Sequence, residues 1–467
     1  MSGVVSGGAA GAFLRLVVRD TAHSIRVWLS AAVVFLTLGF STAVLCLMCT
    51  AIADAQSIGS IGAESASGLW SIWGMHVFLT VVVGFTAVSG TLRQVFDARS
   101  EILARLSLAG ASPAQCALIF AMQIAAAILV GMGIGIAVAW PLMGVACQWI
   151  MTHVAGLHGV LTPRYSHTAI LVAMLCLLGI SFAATAVRAR RQLRVTPAQQ
   201  VQLWRNPQAR TSWIRLAFAI ALAGGLVGLV WPTVGAARSG RMVMSADSFV
   251  PAGMGVSALA AIVCVVAGPY CALGIVRACT RLLPHSAVGR LALCAFTDRP
   301  AQALAAINPM TLCVALPLGV IAPAWTLASA LNAHTGGGSS VRADMSSLFT
   351  LCALPLLIAL STALASLIME GRRQRESMIL SALAGATPVQ QVMQQVLQAI
   401  IAVCAASVQA AFCIWLGSWW TAQVMAPTFG AVPAVFPLKW WLLSSVLLLG
   451  ACALIELVIT VPHIMKP

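Results

Sequence analysis

Two short segments carry most of the residues whose types and spacing could do work. One reads Glu101-Ile-Leu-Ala-Arg-Leu-Ser-Leu-Ala-Gly-Ala-Ser-Pro113, the other Glu376-Ser-Met-Ile-Leu-Ser-Ala-Leu-Ala-Gly-Ala-Thr-Pro388. In the first, Glu101 and Arg105 stand at i, i+4, the spacing of an ion pair on a short helix. Gly110 can end that helix, and after Ala111 the pair Ser112-Pro113 can start another, Ser as N-cap and Pro at the first helical position. The second copy repeats this with Gly385, Ala386, Thr387 and Pro388, but Leu380 stands where the first has Arg105. A rigid corner between two helices protrudes and can dock a partner. An ordinary loop would account for one such segment; two copies at matching places favour docking, with non-identical faces.

Other polar residues offer less. Glu456 is the clear ionisable residue inside an apolar stretch, which makes it a functional candidate by default; snorkelling or pairing with an inner Arg is the plainer reading. Gln123 and Gln398 suit hydrogen bonding between helices. Cys46 and Cys49 form a CxxC inside an apolar run with no second pair and no nearby His, so structural cysteines are expected and no metal site. His153, His158 and His167 read as surface residues. ATP hydrolysis needs a Lys in a Gly-rich turn. The two lysines, in Pro-Leu-Lys439-Trp and Met-Lys466-Pro, have no such context. No HExxH or GxSxG occurs either.

The elements that position these residues are set by composition. The chain has 467 residues, 60% hydrophobic and 8% charged, with a mean hydropathy of +0.97. That excludes a soluble enzyme, a disordered chain and a disulfide scaffold. An all-α polytopic membrane protein is expected, because only helices or closed barrels satisfy backbone groups in hydrocarbon. Ten stretches can span: 27–53, 70–92, 114–150, 168–187, 213–231, 251–276, 301–328, 346–369, 389–425 and 440–461. The two longest could each contain a break, with Trp140-Pro141 a candidate. Ala51-Ile52-Ala53 resembles a signal-peptidase site, but the run before it is too long for a signal peptide. The net charge of +15 is spread in short clusters between the spans. With both termini inside, 21 of the 26 basic residues fall on the inner side and 5 outside, the positive-inside pattern rather than a nucleic-acid surface. Trp70, Trp73, Trp149, Trp231, Trp419, Trp420, Trp440 and Trp441 then fall at outer ends. Gly131-xxx-Gly135 and Gly224-xxx-Gly228 predict close helix packing.

The two docking segments are related by an offset of 275, without gaps. The same offset pairs Arg15 with Arg290, Gln115 with Gln390 and Gln123 with Gln398, and superimposes the spans of 27–187 on those of 301–461. The chain therefore divides into a four-span repeat over 1–191, a tail and two-span linker over 192–283, and a second repeat over 284–467. An even number of spans between the repeats makes them parallel. One chain then offers two similar inner faces to a symmetric partner.

The Gly-Ala-Ser/Thr-Pro corner, followed by a span with Gln at its tenth or eleventh position, resembles the FtsX-like (MacB-type) permeases of ABC transporters. Residues 192–201 are similar to that family's tail after the fourth span. The resemblance implies that each elbow is a coupling element seated on an ATPase, with Glu101, Arg105, Gly110, Ala111, Ser112, Pro113, Glu376, Gly385, Ala386, Thr387 and Pro388 at the contact. It implies a permease without its own ATPase, two copies of an ATPase partner holding ATP and Mg, membrane lipids around it, and a bacterial cytoplasmic membrane. The loops at 54–69 and 329–345 are too short for the large extracellular domain of many members, and the second repeat lacks the tail. Few ionisable residues in the spans point to a lipid-like or amphipathic peptide substrate, exported or extracted. A second reading is an ATPase-linked signalling scaffold, with a sensor kinase as partner beside the 213–279 hairpin. A third is an ion-coupled carrier working through Glu456.

Overall fold

An apolar run in hydrocarbon has no water to satisfy its N–H and C=O groups, so it closes its own hydrogen bonds as a helix. The computed structural model is helical in this way. It describes residues 24–59, 62–108, 112–153, parts of 166–179, 213–241, 248–282, 287–298, 300–334 and 345–464. Eleven helices have defined bounds among them: α1 (Ile25–Ser57), α2 (Ala63–Leu108), α3 (Pro113–His153), α4 (Trp213–Arg238), α5 (Phe249–Val266), α6 (Gly268–Leu282), α7 (Ala287–Asp298), α8 (Pro300–His334), α9 (Met345–Leu383), α10 (Pro388–Phe429) and α11 (Leu438–Ile464). Nine are long and apolar enough to cross a bilayer. The chain is an all-α, multi-pass membrane protein. The expected span at 168–187 lies largely outside the described residues.

The helix bounds follow the sequence offset. Adding 275 carries Ile25 to Pro300, Leu108 to Leu383 and Pro113 to Pro388, each a helix terminus. Packing follows it too. α1 lies along α3 as α8 lies along α10, and α2 and α9 meet where α1 also touches α9 and α2 touches α8. Thr37 of α1 and Ser361 of α9 share a 2.8 Å hydrogen bond across this junction. The linker hairpin α4–α5 sits against α10, and α5 also against α8.

Several sequence expectations need correction. Glu101–Leu108 is not a separate short helix but the last two turns of α2, which runs for 46 residues; nothing helix-breaking stands between Gly90 and Leu108. α3 continues through Trp140-Pro141 without a break, as a long helix can when proline removes a single ladder bond. The 251–276 span is two helices instead, because α5 ends at Ala267 and Gly268-Pro269 opens α6. The connection between α1 and α2 is only about 58–62, since both helices run past the predicted ends. Trp420 is not an interface residue: it is fully buried, and its Nε1 donates to Thr233 Oγ1 of α4 at 2.9 Å. Trp70 and Trp73 do cluster at one helix end, edge to face at 5.5 Å.

The two glycine pairs part company. A Cβ on Gly131 would stand 2.7 Å from Ala32 O, and one on Gly135 2.1 Å from Leu36 O, so α1 and α3 touch backbone to backbone. Gly224 and Gly228 of α4 have nothing within 4 Å of such an atom. Their spacing promised a helix contact that no described helix makes, because α4 rests on α5 and α10 through other residues such as Leu226, Val230 and Val234.

Candidate functional site

The α9–α10 elbow is built from a left-handed stop and a reciprocal cap. α9 closes with Gly385 N–H donating to Ala382 O and Ala386 N–H to Ser381 O, both at 2.9 Å. Gly385 has φ +91°, the left-handed region where glycine carries no Cβ penalty. Thr387 then turns extended at φ −71°, ψ 155°, and its hydroxyl accepts from Gln390 N–H at 3.3 Å. Gln390 Oε1 accepts from Thr387 N–H at 3.0 Å. Pro388 fills the first helical position, where its missing N–H costs nothing.

The α2–α3 elbow carries the same box. Gln115 N–H donates to Ser112 Oγ at 3.3 Å, and Ser112 N–H to Gln115 Oε1 at 2.9 Å. Gly110 and Ala111 lie outside the described residues. Glu101, Arg105 and Glu376 stand in the final turns of α2 and α9, and Pro113 opens α3; the side chains of these four also lie outside what is described. Ser/Thr-x-x-Gln is a capping-box sequence, so the matched Gln115 and Gln390 had a readable role that pairing by offset alone missed. Removing the cap acts locally. Thr387→Ala is expected to cost about 1 kcal/mol at the start of α10, and amide exchange at Gln390 should speed up roughly fivefold while exchange deep in α10 stays unchanged.

The second elbow shows an apolar surface. Leu380, Leu383, Val389 and Met393 are 68%, 81%, 75% and 60% exposed. Pro388, Val389, Val392, Met393 and Val396 line a shallow groove. The hydrophobic window of α9 ends at Met369, so Leu380–Leu383 stand about 16–21 Å further along the helix. Between them come Arg372, Arg373 and Arg375, and α10 begins with Gln390, Gln391, Gln394, Gln395 and Gln398. The three arginines and the exposed Gln390 favour water over lipid at the elbow. The offset maps Val389, Val392, Met393 and Val396 onto Ala114, Ala117, Leu118 and Ala121, so the first elbow is the less bulky of the two.

Behind the first elbow, Arg99 of α2 is buried. Its guanidinium donates to Ser24 Oγ and, at 3.4 Å, to Gln123 Oε1 of α3. It also lies 5.9 Å from the centroid of Trp28 on α1. Phe120 completes the cluster, 6.2 Å from Trp28 and 4.6 Å from Phe96. Arg99 thus ties one end of α1, α2 and α3 together, whereas the sequence placed it among the inner surface charges. Gln123 belongs to this cluster; its counterpart Gln398 is half-buried, and Gln391 and Gln395 are buried. Glu456 lies in α11, its side chain outside the described residues.

The sequence reading passed over one intramembrane group. His76 of α2 is completely buried, and neither ring nitrogen has a hydrogen-bond partner. A His inside the apolar run 74–92 was the available signal. Among the described residues, no three His, Cys, Asp or Glu side chains group as metal ligands would.

Residues 74–193 match the family model of the FtsX-like permease C-terminal domain. The matched stretch takes in most of α2, the first elbow and all of α3. No curated protein matches the chain.

Proposed function

We propose that this chain, an FtsX-like permease over residues 74–193, is the transmembrane subunit of an ATP-driven ABC transporter that exports or extracts a lipid-like or amphipathic peptide substrate. A separate ATPase, generally the partner of such permeases, holds the ATP and Mg. Two copies dock per chain, one on Glu101–Pro113 and one on Glu376–Pro388. The protein works as two parallel repeats, 1–191 and 284–467, joined by 192–283, in the bacterial cytoplasmic membrane with both termini inside. Closure of the ATPase dimer draws the elbows together and shifts α2 against α9.

The observation that supports this reading best is the duplicated elbow. Two helix corners 275 residues apart share one capping geometry, and the first falls inside the family match. A rigid corner transmits displacement; a frayed loop would absorb it.

The test is capture of an ATPase by the tagged full-length chain from mild detergent, with ATP hydrolysis assayed on the eluate. Wild type should bring down the activity, and the Glu101→Arg/Glu376→Arg double variant should lose most of it. Absence of ATPase from both, or equal recovery from both, would count against the docking reading.

A further inference from the structure

A second set of polar residues lies on α1 and α2. His76 and Thr80 are one turn apart on α2, both buried, and neither imidazole nitrogen nor Thr80 Oγ1 has a partner. Ser41 of α1 is fully buried, and its Oγ has none either. Most hydroxyls nearby behave differently: Thr37, Ser361, Thr362 and Ser366 each donate to a carbonyl one turn back. The heights agree as well. Trp73 Nε1 of α2 donates to Leu45 O of α1 at 2.9 Å, and a Cβ on Gly84 would meet Leu38 Cδ2 at 2.9 Å. These contacts put Ser41 between the levels of His76 and Thr80. One turn before Ser41 is Thr37, which bonds α9 through Ser361.

Buried polar atoms without partners are costly in an apolar interior. Such atoms at one height can hold a polar ligand group. The chemistry of that ligand follows from what surrounds it. No charged residue occurs in α1 between Arg26 and Asp54, in α2 between Glu64 and Arg93, or in α9 between Met345 and Glu370. A neutral imidazole and two hydroxyls supply about three donors and five acceptor lone pairs, and no charge. They suit a neutral amide or hydroxyl group and give no countercharge to an anion.

The adjacent face of the same two turns of α2 borders a groove of about 350 Å³. Met75, Phe78 and Leu79 line one side, and Pro251, Met254 and Ala258 of α5 the other. Met75 directly precedes His76, and Leu79 precedes Thr80, so groove and polar pair are one residue, about 100°, apart around the helix. A rotation of α2 by about 100° relative to α9 would join them.

We propose that α2 carries a binding site for an amphipathic molecule with a neutral, hydrogen-bonding head: its apolar tail in the α2–α5 groove, its head on His76, Thr80 and Ser41. This deepens the permease reading by naming a substrate class. In a transport cycle the site opens when α2 moves.

The test is photolabelling of the full-length chain in nanodiscs, mapped by mass spectrometry of peptides. The probes are an N-acylethanolamine with a diazirine in its tail, the matching fatty acid and the matching alkane. The N-acylethanolamine should label the segments around Met75–Leu79 and Pro251–Ala258 about tenfold more than the alkane or the fatty acid, the worth of one or two neutral hydrogen bonds. His76→Leu should remove that preference, and His76→Gln, which keeps a donor and an acceptor, should restore most of it. His76→Leu should also raise the thermal midpoint, because an unpartnered polar group is lost. Equal labelling by the three probes, preference for the fatty acid, an unaffected His76→Leu variant, or a lowered midpoint would each overturn the proposal. Photolabelling needs no ATPase, so its failure leaves the docking reading standing, and failure of ATPase capture leaves this site standing.

Discussion

Gly135→Val is expected to destabilise the chain by about 3 kcal/mol or more, the upper range for overpacking, while Gly133→Val, two residues away, leaves it unchanged. The reason is backbone against backbone. A Cβ at Gly135 would sit 2.1 Å from Leu36 O and 2.7 Å from Phe40 N. Neither atom can rotate away, so α1 must retreat by roughly an ångström over several turns and forfeit its packing against α3. Gly39 and Gly131 lie in the same seam and tighten it: Gly39 would meet Met132 Cα at 2.6 Å. Gly133 has nothing within 4 Å. In the other α-pair, Gly417 gives an intermediate case. Its Cβ would strike Ser257 Oγ at 1.8 Å, but that is a side-chain atom that can rotate, and the nearest backbone atom, Gly253 O, is 3.0 Å away. Gly417→Ala should therefore cost clearly less than Gly135→Ala. Thermal unfolding of the four variants in detergent, followed by tryptophan fluorescence, checks the order. Equal midpoints for Gly135→Val and Gly133→Val would mean that α1 and α3 do not pack as closely as described.

How much of this was legible in the sequence depends on whether one residue type or two helices decide the outcome. The spans were legible because hydrocarbon leaves the backbone a single choice, and the elbows because Gly, Ser/Thr and Pro each act on their own backbone. Gly131-xxx-Gly135 was legible for the same reason; Gly224-xxx-Gly228 shows the limit, since a small-residue stripe permits a close contact but does not supply the second helix. Arg99 and Trp420 were misread as an inner-surface charge and an outer-interface ring. Residue type and position along the span suggested those places, yet both are buried by helices distant in sequence, Arg99 against Trp28 and Gln123, Trp420 against Thr233. His76 was missed because its want of partners depends on the helices packed around it, not on its own residue type. The length of α2 was misjudged since Asp97, Arg99 and Glu101 end the apolar run but not the helix.

The length of these helices leads to the second large effect. Leu383→Glu/Val389→Glu is expected to weaken capture of the ATPase by at least a hundredfold. Two buried apolar contacts at the centre of an interface are each worth about 1.4 kcal/mol or more, a factor of ten apiece. Both side chains are more than 70% exposed, and they stand well beyond the arginines that mark the lipid edge. Such surface in water is stabilised by a partner that covers it. At the first elbow, Leu118→Glu, at the position matching Met393, should cost about tenfold, because alanines replace the neighbouring valines there. Arg241→Glu, far from both elbows, should leave capture intact. Salt separates the contributions. Charge contacts through Glu101 and Glu376 should fade as the Debye length falls to about 3 Å at 1 M, whereas apolar docking on Leu383 and Val389 should persist. Capture that survives high salt in wild type, is lost with Leu383→Glu/Val389→Glu and is only weakened by Leu118→Glu would make the second elbow the stronger foothold of the two. If capture instead vanishes at high salt and ignores the apolar variants, the charges at Glu101 and Glu376 hold the ATPase, and the exposed leucine and valine face a different partner.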